Sequence, residues 1–143
     1  MRSREGEIHD TTLLPLLHNY FNGENCLLFL YGMMNSDKAN IMQGSQSNTG
    51  ILSHFMSNIL DDLKKRESNS NLKSDSMDLQ MSVLEIYQEK VYDLLNDSIK
   101  KEKLIINDKI NGTADISKLS SHSVSTHGDF VRLLDSSSSR RSV

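Results

Sequence analysis

Hydrophobic positions in this chain fall into blocks, and the spacing inside each block changes from one to the next. Over residues 10–21, Leu13, Leu14, Leu16, Leu17, Tyr20 and Phe21 recur at offsets of three and four. That spacing predicts a helix with one apolar face. Asp10, Thr11 or Thr12 is placed to cap its start, Pro15 sits in the first turn where its missing N–H costs little, and Asn22-Gly23 ends it. Residues 26–31 differ: Cys26, Leu27, Leu28, Phe29, Leu30 and Tyr31 show no polar alternation. A short unbroken apolar run before a glycine predicts a strand buried on both faces, as in a parallel sheet. Cys26 then reads as a small core residue of that strand rather than a nucleophile.

Gly32 to Lys38 follows as a loop, and a helix is expected from Ala39, interrupted over residues 44–50. A clearer helix spans residues 51–66, with Ile51, Leu52, Phe55, Met56, Ile59, Leu60 and Leu63 on one side. Lys64-Lys65-Arg66 would place cations at the negative end of its dipole. Residues 67–78 are polar and read as a solvated loop. Leu79, Met81 and Val83 alternate with Gln80 and Ser82 and run into Leu84–Tyr87, predicting a second strand over 79–87. Val91, Leu94 and Leu95 are spaced for a short helix over Glu89–Leu95. Leu104–Ile106 and Ala114–Ile116 predict a hairpin through Asn111-Gly112. Phe130–Leu134 begins a last helix, and Ser136–Ser139 with Arg140-Arg141 reads as a polar tail.

Composition narrows the classes. The 143 residues are 36% hydrophobic and 6% aromatic with no Trp, so the expected core is thin. Twenty-two serines shorten the packable length further. A net charge of −3 excludes a general polyanion binder, and no nucleic-acid partner is expected. The single cysteine excludes a disulfide framework. No apolar run reaches the roughly 18 residues of a membrane span, so no membrane role is expected. Residues 1–7 alternate charge without an apolar stretch, a polar tail rather than a secretory signal. The five histidines are scattered, and no metal site is expected from them. Glu85 and Glu89 are read as structural rather than as an acid–base pair, and Met33, Met34 and Met42 as gap fillers.

The loop between the apolar run and the next helix is where a phosphate-binding loop belongs. The phosphate-loop pattern is glycine, four residues, glycine, lysine, then serine or threonine. Gly32 and Lys38 keep two of its positions, whereas Asp37 replaces the second glycine and Ala39 the hydroxyl residue. On pattern alone the match fails, and an ordinary strand-to-helix loop with an exposed lysine is the better account.

Longer motifs change that balance. Tyr31-Gly32-Met33-Met34-Asn35-Ser36-Asp37-Lys38-Ala39-Asn40-Ile41-Met42-Gln43-Gly44 resembles the kinesin motor segment Tyr-Gly-x-Thr-x-Ser-Gly-Lys-Thr-x-Thr-Met-x-Gly. Leu84-Glu85-Ile86-Tyr87-Gln88-Glu89-Lys90-Val91-Tyr92-Asp93-Leu94-Leu95 is similar, nearly residue for residue, to the kinesin signature Leu-Glu-Ile-Tyr-Asn-Glu-x-Ile-Tyr-Asp-Leu-Leu. The likeness runs over residues 8–143 in the family's order. It implies an α/β fold, an incomplete P-loop NTPase-type domain with a central, mostly parallel sheet flanked by helices. It also implies ATP with Mg²⁺ as cofactor, held by Gly32, Met33, Met34, Asn35, Ser36, Asp37, Lys38 and Ala39. Microtubules (tubulin) are the implied partner, a motor partner chain a further one, and the cytoplasmic cytoskeleton the implied location. Neither family switch segment, Asn-x-x-Ser-Ser-Arg-Ser-His nor Asp-Leu-Ala-Gly-Ser-Glu, occurs in the sequence. The one contact region it retains corresponds to Asn107–Ser123, where Lys109 and Lys118 are basic.

The two loop substitutions predict a defect. A carboxylate about 5 Å from a phosphate, at an effective dielectric of about 20, costs about 3 kcal/mol. Asp37 is further expected to strain a backbone that favours glycine, and Ala39 removes the hydroxyl that would ligate Mg²⁺. No catalytic residue is assigned, and no measurable ATPase is expected. The alternatives are a non-catalytic module that binds microtubules or a partner, and a small nucleotide-phosphate enzyme. The Leu84–Leu95 signature argues against the latter, because that segment has no part in phosphate chemistry. Strands left without neighbours predict low stability or association with another chain.

Overall fold

The computed structural model describes residues 8–33, 36–45, 48–69, 78–96, 98, 103–109, 112 and 114–141. The chain divides into two compact units, Met1–Asp75 and Ser76–Val143.

The first unit begins with a wide helical turn, His9–Leu13, that runs directly into helix α1, Leu14–Phe21. The helical path therefore starts before the expected caps, and no side chain caps α1. Pro15 lies at the joint, in the first turn as expected, where its missing N–H interrupts the ladder least. The other end follows the glycine expectation closely. Gly23 (φ 82°) lets its own N–H reach Tyr20 O at 3.0 Å and lets Glu24 N–H reach Asn19 O at 3.1 Å. This pair of bonds satisfies the last carbonyls of the helix.

Residues 24–33 contradict the expectation of a doubly buried strand. They form no regular secondary structure, and no described strand pairs with them. Leu27, Phe29, Tyr31 and Met33 are 83%, 74%, 90% and 83% exposed, and the Phe29 and Tyr31 rings stack at 6.4 Å. A parallel strand buries both faces only between neighbouring strands and under helices, and the described residues supply no such strand. Cys26 is accordingly exposed rather than in a core, with its thiol directed at Leu16 O and Glu24 O.

Helix α2, Lys38–Gln43, ends at Gly44. Strands β1 (Gly44–Ser45) and β2 (Asn48–Thr49) then pair antiparallel, and helix α3 covers Ile51–Asn69. Gly50 makes this reversal possible: a β-carbon there would stand 2.2 Å from Gly44 N and 2.4 Å from Met42 O. The predicted face of α3 is the packed one, with Ile51, Ile59 and Leu60 buried beside Leu13 and Leu17 in this unit's core. Tyr20 meets Phe55 edge-on at 6.3 Å, and the Arg66 guanidinium lies 5.3 Å from the Phe21 ring centre while pairing with Asp62. Lys64 and Lys65 stay in solvent.

In the second unit, the run expected as one strand is two. Strand β3 (Gln80–Met81) pairs antiparallel with β8 (His122–Ser123), whereas β4 (Leu84–Tyr87) joins a four-stranded antiparallel sheet in the order β4, β5 (Lys90–Asp93), β6 (Lys103–Asp108), β7 (Ala114–Ser117). The helix expected over Glu89–Leu95 is replaced by β5. Gln88 and Glu89, both at positive φ (49° and 59°), form a two-residue turn that sets Tyr87 opposite Lys90. Val91, Leu94 and Leu95 still pack, but through a strand and the bend that follows it. The β6–β7 hairpin forms as expected, with Ile106 opposite Ile116; Gly112 is at φ 78°, and Asn111 lies outside the described residues. Every strand pairing among the described residues is antiparallel, so the mostly parallel central sheet is not assembled among them.

Helix α4, His127–Ser139, is longer at both ends than the Phe130 start and serine tail predicted. Thr126 caps it reciprocally with Asp129. Ser137 and Ser139 donate to Leu134 O and Asp135 O, so these hydroxyls find their partners within the helix. Phe130 and Leu133 join Val91, Leu94, Leu95, Leu104 and Val124 in the core. Each such side chain contributes about 1.5–3 kcal/mol when buried.

Candidate functional site

The candidate loop runs from the exposed segment into α2. Its geometry is set by Lys38, whose ammonium folds back over the loop. Lys38 Nζ donates to Gly32 O at 2.8 Å, to Ser36 Oγ at 3.0 Å and to Met33 O. An ammonium has three N–H donors, and these three oxygens take them all. Two loop amides also turn onto loop oxygens: Ser36 N–H bonds Met33 O at 3.3 Å and Lys38 N–H bonds Ser36 O at 2.8 Å. Gly32 fits closely under the lysine stem, because a β-carbon there would stand 3.4 Å from Ser36 Oγ and 3.7 Å from Lys38 Cδ.

Asp37 precedes the first turn of α2 with φ −67° and ψ 17°, and its carbonyl accepts from Ile41 N–H at 2.8 Å. That φ suits any residue, so the strain expected of a side chain at this position does not arise. Its carboxylate makes no capping bond. Ala39 is exposed and brings no oxygen. Of the eight predicted loop residues, Gly32, Met33, Ser36, Asp37, Lys38 and Ala39 are described, whereas Met34 and Asn35 lie outside the described residues.

The stretch Asn107–Ser123 comprises the end of β6, β7 and β8. Of its two basic residues, Lys109 pairs with Asp115 at 3.7 Å, and Lys118 is exposed in the left-handed region (φ 65°). No group of three or more His, Cys, Asp or Glu side chains that could hold a metal is found among the described residues. No described helix is long and apolar enough to cross a membrane.

One organising residue escaped the motif reading. Asp93, the acid of the Tyr92-Asp93-Leu94-Leu95 run, is 7% exposed. Its carboxylate accepts from the Leu95 amide at 2.8 Å and from the Ser120 amide at 2.7 Å, tying the end of β5 to the chain before β8. Burial pushes this carboxyl up, but the amide bonds from Ser120 and Leu95 outweigh it and hold it below its ordinary value. The available signal was an acid followed by two leucines. It marks a buried turn as readily as an exposed one.

Comparison with known proteins agrees with the family resemblance. The family model described as the kinesin motor domain matches residues 2–143. Kinesin-like protein KIF18A of Mus musculus is 28% identical over 142 residues, covering 97% of this chain and 15% of the relative. Kinesin-like protein KIP2 of Eremothecium gossypii is 33% identical over 90 residues, covering 63% of this chain and 13% of the relative. Among solved structures, a KIF14 dimer with AMP-PNP in complex with a microtubule superposes with a TM-score of 0.85 at 27% identity, over 98% of this chain and 38% of that one. This chain thus spans only a part of the proteins it matches, with a partial α/β fold of the P-loop NTPase type. It belongs to the kinesin motor domain family.

Proposed function

We propose that the chain is a motor-domain segment of a microtubule-based motor whose own nucleotide loop is defective. The observation that carries the proposal is the pairing of Asp37 and Ala39 around a lysine already engaged by Gly32 O, Met33 O and Ser36 Oγ. Mg²⁺ and ATP do not fit these residues. The lysine that should meet phosphate is occupied, the hydroxyl that should meet the metal is absent, and a carboxylate has been added. One charge repulsion of about 3 kcal/mol at an effective dielectric of about 20 weakens binding on the order of a hundredfold. A polyphosphate carries several charges, so the total penalty exceeds that.

Microtubule binding is the activity we assign to what remains, on the cytoskeleton, by analogy with the microtubule-bound KIF14 structure. The exposed Lys118 and the β6–β8 stretch support it; a pure interaction module without nucleotide is the second reading that these residues favour. The test pairs two assays. An ATP analogue with and without Mg²⁺ should leave the thermal midpoint of the 143-residue chain unchanged, and Asp37→Gly with Ala39→Thr should restore a shift. Microtubule co-sedimentation should pellet a fraction that falls as salt rises. Microtubule-stimulated ATP turnover by the unsubstituted chain would refute the defect.

A further inference from the structure

Lys64-Lys65-Arg66 is a motif that the proposed function leaves unused. Ser68 follows it closely, and no other serine or threonine of the sequence has three basic residues among the four positions before it. Lys64, Lys65, Arg66 and Ser68 are all exposed. We propose that Ser68 is a phosphorylation site for a basophilic serine/threonine protein kinase, reached when the last turn of α3 opens. The site stands apart from the nucleotide loop and does not depend on the proposed function.

Protein kinases select substrates by charge pattern, and cations ahead of a hydroxyl suit an enzyme whose cleft is lined with carboxylates. In an extended chain alternate residues share a side, so Lys64 and Arg66 fall with Ser68 while Glu67 faces away. The helix hides this arrangement. Ser68 Oγ donates to Lys64 O at 2.8 Å, and Arg66 pairs with Asp62 and lies over the Phe21 ring. Every residue from Lys64 to Ser68 is exposed, so this turn opens without uncovering the core. Opening frees the Ser68 hydroxyl; the Ser68 bond and the Arg66 contacts resist it.

In the transfer, Ser68 Oγ attacks the γ-phosphorus of the ATP that the kinase holds. The Oγ–P bond forms, the bond to the bridging oxygen of ADP breaks, and the hydroxyl proton passes to the catalytic carboxylate of the kinase. The phosphoserine carries about −2 at neutral pH. That charge offsets Lys65 and Lys64, three and four residues before it on the same face of the helix. The exposed positive charge at this end of α3 is thereby cancelled.

The test incubates the full 143-residue chain with ATP and the catalytic subunit of cyclic-AMP-dependent protein kinase. Mass spectrometry maps phosphate to each serine, which separates Ser68 from Ser142 behind Arg140-Arg141. Ser68 should take up phosphate. Its kcat/KM should fall about tenfold or more in the chain carrying Lys64→Ala and Lys65→Ala. Both lysines are exposed, so this variant keeps the fold, which circular dichroism checks. Asp62→Asn releases Arg66 from its pair and should raise the rate at Ser68 about twofold. Casein kinase II, which selects acidic surroundings, should leave Ser68 unmodified. No phosphate at Ser68, a rate there unchanged in the double lysine variant, or equal modification by casein kinase II overturns the site. A rate that Asp62→Asn does not raise overturns the opening of the turn.

Discussion

Gly50 and Asp93 show two different reasons for a residue to be irreplaceable. At Gly50 the reason is space. A single methyl would fall 2.2 Å from Gly44 N, 2.3 Å from Gln43 C and 2.4 Å from Met42 O. All three are backbone atoms, which cannot swing aside like a side chain. Gly50→Ala is therefore expected to cost about 3 kcal/mol or more, at or above the upper end of overpacking effects; urea unfolding followed by circular dichroism measures it. At Asp93 the reason is charge. Its folded carboxyl lies below the ordinary 3.8, so the ionised form contributes stability at neutral pH. That contribution is complete above the unfolded value of about 3.9 and is lost as pH falls through the lower folded value. Asp93→Asn keeps one acceptor oxygen for two amides and should cost about 1–3 kcal/mol at pH 7. The stability gap between variant and parent should shrink below pH 4. A gap that stays constant from pH 7 to pH 3 would contradict the role given to the carboxylate.

At the scale of elements, the β4–β5 turn is a place where sequence and backbone disagree. Gln88 and Glu89 both take positive φ, which costs roughly 1–2 kcal/mol for each residue with a β-carbon. Gln88→Asn with Glu89→Gly supplies the pair this turn prefers and should raise stability by about 1 kcal/mol; an unchanged urea midpoint would mean the turn is not formed. Thr126→Ala should act in the opposite direction, by about 1 kcal/mol, since it removes one half of the reciprocal cap with Asp129. The same elements explain what could be read from residues alone. Helix α1 with its Gly23 stop, helix α3 and the β6–β7 hairpin each follow local spacing and local turn chemistry. The stretch Glu89–Leu95 does not, because Val91, Leu94 and Leu95 satisfy a helical spacing and equally satisfy a strand followed by the Asp93 bend. The serines of α4 misled for a related reason: Phe130, Leu133 and Ser137 are buried on this helix, and serine hydroxyls bonded to carbonyls three or four residues back need no other partner. At the candidate loop, the place of Lys38 was legible in the pattern. The destination of its side chain was not, since three oxygens of its own loop compete with any ligand.

At the scale of the whole molecule, the segment of residues 24–33 is the apolar stretch that the described residues leave exposed. Burial of Cys26–Tyr31 was unreadable from residues alone, because it depends on neighbouring strands rather than on the segment's own composition. Among the described residues nothing pairs with it, so Leu27, Phe29, Tyr31 and Met33 present apolar side chains to water along an open backbone edge. Such edges pair with other chains, and a net charge of only −3 offers weak electrostatic protection. The 143-residue chain is thus expected to self-associate, its sedimentation coefficient rising with loading concentration. Phe29→Ser with Tyr31→Ser should suppress this association. The urea midpoint should stay within about 0.5 kcal/mol of the parent's, because exposed side chains give up little when replaced. A combined loss of association and of stability would place these rings in a core. Sedimentation independent of concentration in the parent chain would mean that the edge is already covered.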